Sequence, residues 1–201
     1  MLEEKQRREL IEAVARTVID HAEELTALDS AIGDGDHGAN MKRGFEAVLG
    51  DLDALAGKPF PEALRAAGMQ LVMKVGGASG PLYGTLFMTL GKTLPDAADR
   101  EAFATALKAA VDAVKARGRS DVGQKTMLDV LVPVQEAVAG KAAIAEVARR
   151  AHQAAEATIP MLATRGRASF LGERSVGHMD PGARSSALIV DAAVAVLEVK
   201  G

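Results

Sequence analysis

Apolar residues recur at three- and four-residue spacing along nearly the whole chain, and no segment sustains an apolar–polar alternation of period two. The first pattern lays an apolar stripe along a helix, whereas the second would colour one face of a strand. A chain patterned this way must bury helical stripes against one another. Leu10, Val14, Val18 and Leu25 mark one such face, and the first helix is expected to end near Leu25. A second starts after Gly38 and carries Met41, Phe45, Val48 and Leu52. Pro61 suits the first turn of a third, which runs to about Lys74. The run Gly76 to Pro81 breaks the chain and opens a fourth through Leu82, Leu86 and Leu90. A fifth helix spans roughly 98–117, a sixth 126–138, a seventh about 141–163 and an eighth about 183–199.

Composition supports this reading. Aromatic content is 3%, with no Trp and one Tyr, at position 83. The core must be assembled from Ala, Leu, Val, Ile and Met, which favours closely packed helices over a sheet. With 201 residues and 48% hydrophobic content, the chain can fill one substantial core, so a single all-α domain over residues 1–201 is expected. A net charge of −3 and a pI near 5.8 give no sign of a nucleic-acid binder. The absence of cysteine excludes disulfides and thiolate metal sites. The charged stretch Met1 to Arg8 lacks a signal-peptide apolar region. No run approaches the roughly 18 apolar residues of a membrane span, and a soluble cytoplasmic protein with no nucleic-acid partner and no membrane insertion is expected.

The loops are unequal. In an up-and-down arrangement, residues 26–38, 75–81, 118–125 and 165–182 fall at one end, and they hold nearly all the glycine clusters. A site is expected there. The first of these loops crowds Asp29, Asp34 and Asp36 into eight residues, with glycines at 33, 35 and 38. Carboxylates this close repel one another, and hard divalent cations such as Mg²⁺ or Ca²⁺ resolve that repulsion. Helix capping accounts for one of the aspartates but not for three. Gly33, Gly35 and Gly38 formally satisfy G-x-G-x-x-G, yet a helix precedes them where the dinucleotide fingerprint needs a strand, and the aspartates would repel a bare pyrophosphate. An EF-hand fails as well: counted from Asp34, Gly38 occupies the fifth position and Phe45 the twelfth. Three carboxylates with a nucleotide diphosphate bring together roughly six negative charges. Two Mg²⁺ ions plus an Arg or Lys approach neutrality and suit phosphoryl transfer.

The other loops supply complementary groups. His37 and Asn40 flank the aspartates within reach of phosphate or ribose. Val75 to Thr85 resembles a phosphate cradle, in which small residues expose N–H groups at a helix start and Ser79 adds a hydroxyl; it lacks the Gly-Lys-Ser/Thr of a Walker A loop. Arg117 to Met127 offers a cation and, through Met127, an apolar contact for a base. Arg167 or Arg174 in the fourth loop can pair phosphate in bidentate fashion, and Asp180 to Gly182 forms a turn that starts the last helix. Each of these loops also has a plainer use as surface or packing.

Taken in order, Leu28 to Gly38, Val75 to Thr85, Lys125 to Val130 and Gly166 to Gly182 resemble the L subunit of bacterial dihydroxyacetone kinase, the ADP-binding subunit of the phosphoenolpyruvate-dependent phosphotransferase type. The resemblance covers nearly the whole chain. It implies a barrel of eight antiparallel helices with a nucleotide, ADP or ATP, and two Mg²⁺ at one end. By residue-wise correspondence it implies Asp29, Asp34 and Asp36 as metal ligands. It implies His37, Gly38, Ala39, Asn40, Ala78, Ser79, Gly118, Met127, Arg167, Asp180, Pro181 and Gly182 as nucleotide contacts. A K subunit would carry dihydroxyacetone, and a multiphosphoryl M subunit would rephosphorylate bound ADP in place. A stand-alone chain with His37 resembles this form more than the fused, ATP-exchanging relatives. No side-chain nucleophile or general base is expected on this chain. Two alternatives stay open: another short ketose or other acceptor with ATP exchange, and a non-enzymatic module that senses Mg-nucleotide. A barrel so poor in aromatics is also expected to leave room at its centre for an apolar guest.

Overall fold

The computed structural model describes residues 2–198, so the expected end of the last helix at Val199 lies outside them. The first helix does not stop at Leu25. It begins as α1 (Glu4–Asp20), bends at His21 and continues as α2 (Ala22–Ile32). The bend keeps its hydrogen bonds: His21 N–H donates to Thr17 O at 3.2 Å and Leu25 N–H to His21 O at 3.0 Å. The two segments act as one rod. It runs on because Leu25, Asp29 and Ile32 share one buried stripe at helical spacing. That stripe contains a carboxylate, which makes the helix look finished in the sequence.

The next helix, α3 (His37–Gly50), starts at His37 rather than after Gly38, and Leu52 opens a separate short helix, α4 (Leu52–Ala56). α5 (Phe60–Lys74) carries Pro61 in its first turn, and α6 (Ser79–Thr93) follows. α7 (Arg100–Gly118) is capped by Asp99, whose side chain accepts from Ala102 N–H at 2.8 Å. α8 (Leu128–Ala139) tolerates Pro133 in its interior. α9 (Ile144–Ala157) is shorter at both ends than the expected 141–163. Lys141 takes left-handed backbone (φ 56°) before it. After it, Pro160 disfavours a helical Ile159, and the Thr158 hydroxyl turns back to Ala155 O at 2.6 Å. The last helix is α10 (Pro181–Glu198). Part of the loop expected over 165–182 is ordered as a 3-10 segment, Arg167–Ser175, kinked at Gly172 (φ 54°). Its Ala168 and Leu171 pack with Ile32 and Ala163 in a small second core.

These helices close into a ring. α1 packs on α3 and α3 on α5; α5 through α10 then pack each on the next, and α10 returns to α1. With α1 and α2 as one rod and α4 strapped between α1 and α5, the architecture is an all-α barrel of eight antiparallel rods. No strand occurs among the described residues, and no helix among them is long and apolar enough to cross a membrane. Small side chains line the interior: Ala15, Ala110, Ala151, Ala183 and Ala187 are fully enclosed beside Val18, Leu25, Met41, Leu128 and Val130. Each buried Leu or Val contributes about 1.5–3 kcal/mol relative to exposure, and the alanines let the helix axes approach.

A close approach joins α5 and α6. A Cβ on Gly91 would collide with Pro61 O, and one on Gly84 with the Val72 side chain while lying 2.9 Å from Gly68 O. Gly91→Ala is therefore expected to destabilise, because a backbone oxygen cannot swing aside as a side chain can. Overpacking of this kind costs about 1–3 kcal/mol, or a fall of roughly 2–12 °C in melting temperature for a domain of this size. Gly50→Ala, where nothing stands within 4 Å, should leave the melt unchanged or raise it. Thermal denaturation of the two variants followed by circular dichroism checks the contrast.

Candidate functional site

Asp29 lies in the last turn of α2, facing inward and only 7% exposed. Its Oδ2 accepts N–H groups from Asp36 at 2.8 Å and His37 at 3.0 Å. The carboxylate thus caps α3 from a neighbouring helix, where the dipole favours a negative charge. Gly33 passes so close that a Cβ there would collide with Asp29 Oδ1, and Gly35 turns the chain back at φ 73°. The result brings one carboxylate oxygen from each of Asp29, Asp34 and Asp36 within 4.8 Å of one another. Asp34 and Asp36 are exposed, and Asp34 Oδ2 pairs with Arg167 Nη2 at 3.0 Å. With only oxygen donors, part of them main-chain-anchored and part open to solvent, the cluster fits a hard cation such as Mg²⁺.

A chain of hydroxyls runs behind this cluster. His37 Nδ1 lies 2.9 Å from Ser79 Oγ, and Nε2 lies 2.9 Å from Ser185 Oγ. Ser185 Oγ reaches the Tyr83 hydroxyl at 2.7 Å, which in turn meets Ser186 Oγ at 2.8 Å and donates to Gly182 O at 3.1 Å. Burial pushes the His37 imidazole below its ordinary value, with Asp29 and Asp36 opposing. Burial likewise pushes the Tyr83 phenol well above its ordinary range. Burial favours the uncharged form of both groups, and their hydrogen bonds tie the starts of α3, α6 and α10 together. Asn40 braces α6 from the other side: its side chain abuts Gly76, where a Cβ would come within 2.7 Å of Oδ1. Arg43 donates both to Asn40 Oδ1 and to Lys74 O.

Two further carboxylates shape helix starts. Asp129 accepts from Gly123 N–H at 2.6 Å and Thr126 N–H at 2.7 Å, holding the turn into α8. Asp180 accepts from Ala183 N–H at 2.7 Å at the start of α10, and its own N–H donates to Thr158 Oγ1 at 3.0 Å. Burial raises the Asp180 carboxyl to about 7, with Asp129 adding to the rise and Ala183 N–H and Lys125 opposing it. Lys125 is 1% exposed, and burial lowers its ammonium while Asp180 opposes. By contrast, no side chain among the described residues caps α6.

One cleft collects most of the residues singled out from sequence. Asp29, Asp36, His37, Ala78, Ser79, Met127, Arg167, Asp180, Pro181 and Gly182 line it, with Asp34 joined to it through Arg167 and the carboxylate cluster. Gly38, Ala39, Asn40 and Gly118 are not in its wall. Gly38 lets α3 touch α2, since a Cβ there would collide with Ala22 O and Thr26. Gly118 stands behind Leu82, which does line the cleft. Arg165 joins Arg167 in the wall, whereas Arg174 does not. Of the cations in the stretch Arg117 to Met127, Lys125 reaches the cleft wall, and its ammonium is spent on main-chain carbonyls. Sequence reasoning missed the wall residues Tyr83 and Thr126 and the Ser185–Ser186 pair. The available signal was a pair of hydroxyls on the apolar face of the last helix, two residues from Ala183 and beside Ala187.

The DAK2 domain pattern matches residues 31–195. The chain belongs to the DAK2 family. It is 44% identical over 169 residues to the ADP-binding subunit DhaL of PEP-dependent dihydroxyacetone kinase 1 from Listeria innocua, covering 84% of each chain. It is 43% identical over 174 residues to the ADP-binding subunit DhaL of the PEP-dependent dihydroxyacetone kinase of Escherichia coli, covering 82% of this chain and 83% of that one. Among DAK2 proteins it groups with these L subunits of the phosphoenolpyruvate-dependent kinases. A crystal structure of the dihydroxyacetone kinase from C. freundii, in complex with AMP-PNP and Mg²⁺, superposes with a TM-score of 0.75 at 27% identity. The match covers 94% of this DAK2 chain and 33% of that protein.

The capping bonds of Asp29 separate it from Asp34. With a chelator present, Asp29→Ala should still cost about 1–2 kcal/mol through the lost cap, or roughly 2–8 °C of melting temperature. Asp34→Ala loses an exposed ion pair worth at most about 1 kcal/mol and should melt close to the parent. Calorimetry in chelator distinguishes them.

Asp180 gives a pH dependence. Its folded value of about 7 lies above the ordinary 3.8, so between those two values the folded protein binds the extra proton and stability falls as pH rises. His37, held below 6.5, has the opposite sign, since its penalty for charging is relieved as pH rises. Urea midpoints of metal-free protein should therefore decline with pH relative to Asp180→Asn across that window, and parallel profiles would refute the assignment.

Proposed function

We propose that this chain is the nucleotide-bearing subunit of a phosphoenolpyruvate-dependent dihydroxyacetone kinase, a phosphoenolpyruvate–glycerone phosphotransferase. A phosphoryl group would pass from an M-subunit phosphocarrier to ADP held here, and then to dihydroxyacetone on a K subunit, giving dihydroxyacetone phosphate. One observation carries the reading: three carboxylates converge within 4.8 Å on the same cleft as the uncapped start of α6. The names of the Listeria and Escherichia relatives, ADP-binding subunits of such kinases, and the AMP-PNP and Mg²⁺ complex of the C. freundii enzyme support it.

Asp29, Asp34 and Asp36 would hold two Mg²⁺, Asp29 through the Oδ1 that capping leaves over. When bound, the ions neutralise charge on the phosphates and on the transferring group. The main-chain N–H groups at Ala78 and Ser79 meet phosphate at a helix start that no side chain occupies. Arg167 is held by an exposed ion pair, so its release toward phosphate costs about 1 kcal/mol or less. Met127 supplies an apolar wall for the base, and Asp180, Pro181 and Gly182 close the cleft where the hydroxyl network holds Gly182 O. His37, Gly38, Ala39 and Asn40 set the first turn of α3, and Gly118 backs Leu82, so these five act on the nucleotide from the frame of the cleft. We assign no general base for the sugar among the described residues; that role would fall to the K subunit.

The purified protein should retain ADP through gel filtration and release it on chelation. Mixed with a K-type partner and a phosphoenolpyruvate-driven carrier, it should yield dihydroxyacetone phosphate without added ATP. Rapid exchange of the bound nucleotide with free ATP, with no need for the carrier, would overturn the relay.

A further inference from the structure

Lys125 lines the cleft, yet its ammonium is directed to main-chain carbonyls. The residue is 1% exposed and holds left-handed backbone at φ 62°, which a non-glycine residue adopts at some cost. Its ammonium donates to the carbonyls of Ser175 at 2.6 Å, Met161 at 3.0 Å and Ile159 at 3.3 Å. A lysine has three N–H donors, and all three are consumed. None remains for phosphate.

The three acceptors stand at the two ends of one excursion. Ile159 and Met161 follow the end of α9, and Ser175 ends the 3-10 segment. Between them lie Arg165, Arg167 and Arg174. Other bonds draw the same neck together: Gly177 N–H donates to Ile159 O at 2.8 Å, and Ala163 N–H to Ser175 Oγ at 2.9 Å. Carbonyls gathered in a buried neck repel one another and need a donor. Lys125 is that donor, and it sits two residues before Met127 at the entrance to α8.

We propose that Lys125 is a positioning residue for phosphoryl transfer: it pins the neck of the 159–177 loop and so holds Arg167 beside the aspartate cluster. The proposal rests on the functional reading above for the role of Arg167, but the pin itself is a property of the protein without nucleotide. Lys125 acts through Arg167 and touches neither phosphate nor sugar.

Lys125→Met keeps the unbranched side chain to within one heavy atom and removes all three donors. In the nucleotide-free protein, trypsin should cut at Arg165, Arg167 or Arg174 at least about tenfold faster than in the parent, with helical content retained, because loosening the neck raises the open population. In the transfer assay, Lys125→Met and Arg167→Gln should each lower kcat, and the double variant should be no slower than the slower single. Such non-additivity is the signature of one residue acting through another. Unchanged trypsin sensitivity, or losses that multiply in the double variant, would overturn the pin. If the parent transfers nothing, the functional reading fails while the trypsin comparison still decides the neck. Should Lys125→Met not fold, pulse acetylation of the parent protein decides instead. The pin expects Lys125 to label at least about tenfold more slowly than exposed lysines, reacting only through opening, and labelling at their rate would overturn it.

Discussion

The working end of the barrel depends on the carboxylate of Asp29. It occupies a buried position on an apolar helical stripe, where a charge without partners would cost several kcal/mol. Two main-chain N–H groups at the start of α3 meet it, and the dipole of that helix adds to their effect. The same bonds set how the chain leaves α2 and enters α3, and so fix where Asp34 and Asp36 project. Gly33 has to lack a side chain for this to happen. A single buried charge therefore joins the packing of two helices to the geometry of the carboxylate cluster.

The device recurs around the ring. Asp180 serves the start of α10 and Asp129 the turn into α8, each accepting main-chain N–H groups. Among the helices that start at the cleft end, α6 is the exception. It is held from behind, through Ser79 to His37 and through Gly76 against Asn40, while its first N–H groups meet no side-chain acceptor. The frame around the cleft is thus held by capped helix starts and by the bonds behind α6, while the α6 start itself carries no side-chain cap. The burial of that frame also favours the uncharged forms of His37 and Tyr83.

Much of this was legible in the residues. Apolar periodicity marks the rods, and a chain that runs up and down must bring alternate loops to one end, so Asp29, Ser79, Met127 and Asp180 meet although they are far apart in sequence. What was not legible is tertiary. Hydropathy stops α2 at Leu25 because it cannot register that Asp29 is an inward-facing residue. It carries α9 past Ala157 because Thr158 and Pro160 end the helix by local geometry rather than by polarity. Ser185, Ser186 and Lys125 look like solvent-facing residues until their partners on distant helices are known. A glycine that admits a ligand and one that admits another helix read alike, and Gly38 and Gly118 turn out to have helical neighbours.

The hydroxyl network has an optical consequence. Tyr83 is the chain's one tyrosine, and the sequence holds no tryptophan. Its ring is sealed from solvent, and its hydroxyl is bonded to Ser185, Ser186 and Gly182 O at the wall of the cleft. Intrinsic emission excited near the tyrosine band thus arises from one place, inside the frame that holds the helix starts together. The molecule carries its own unlabelled reporter of that frame, and the rest of the barrel is dark around it.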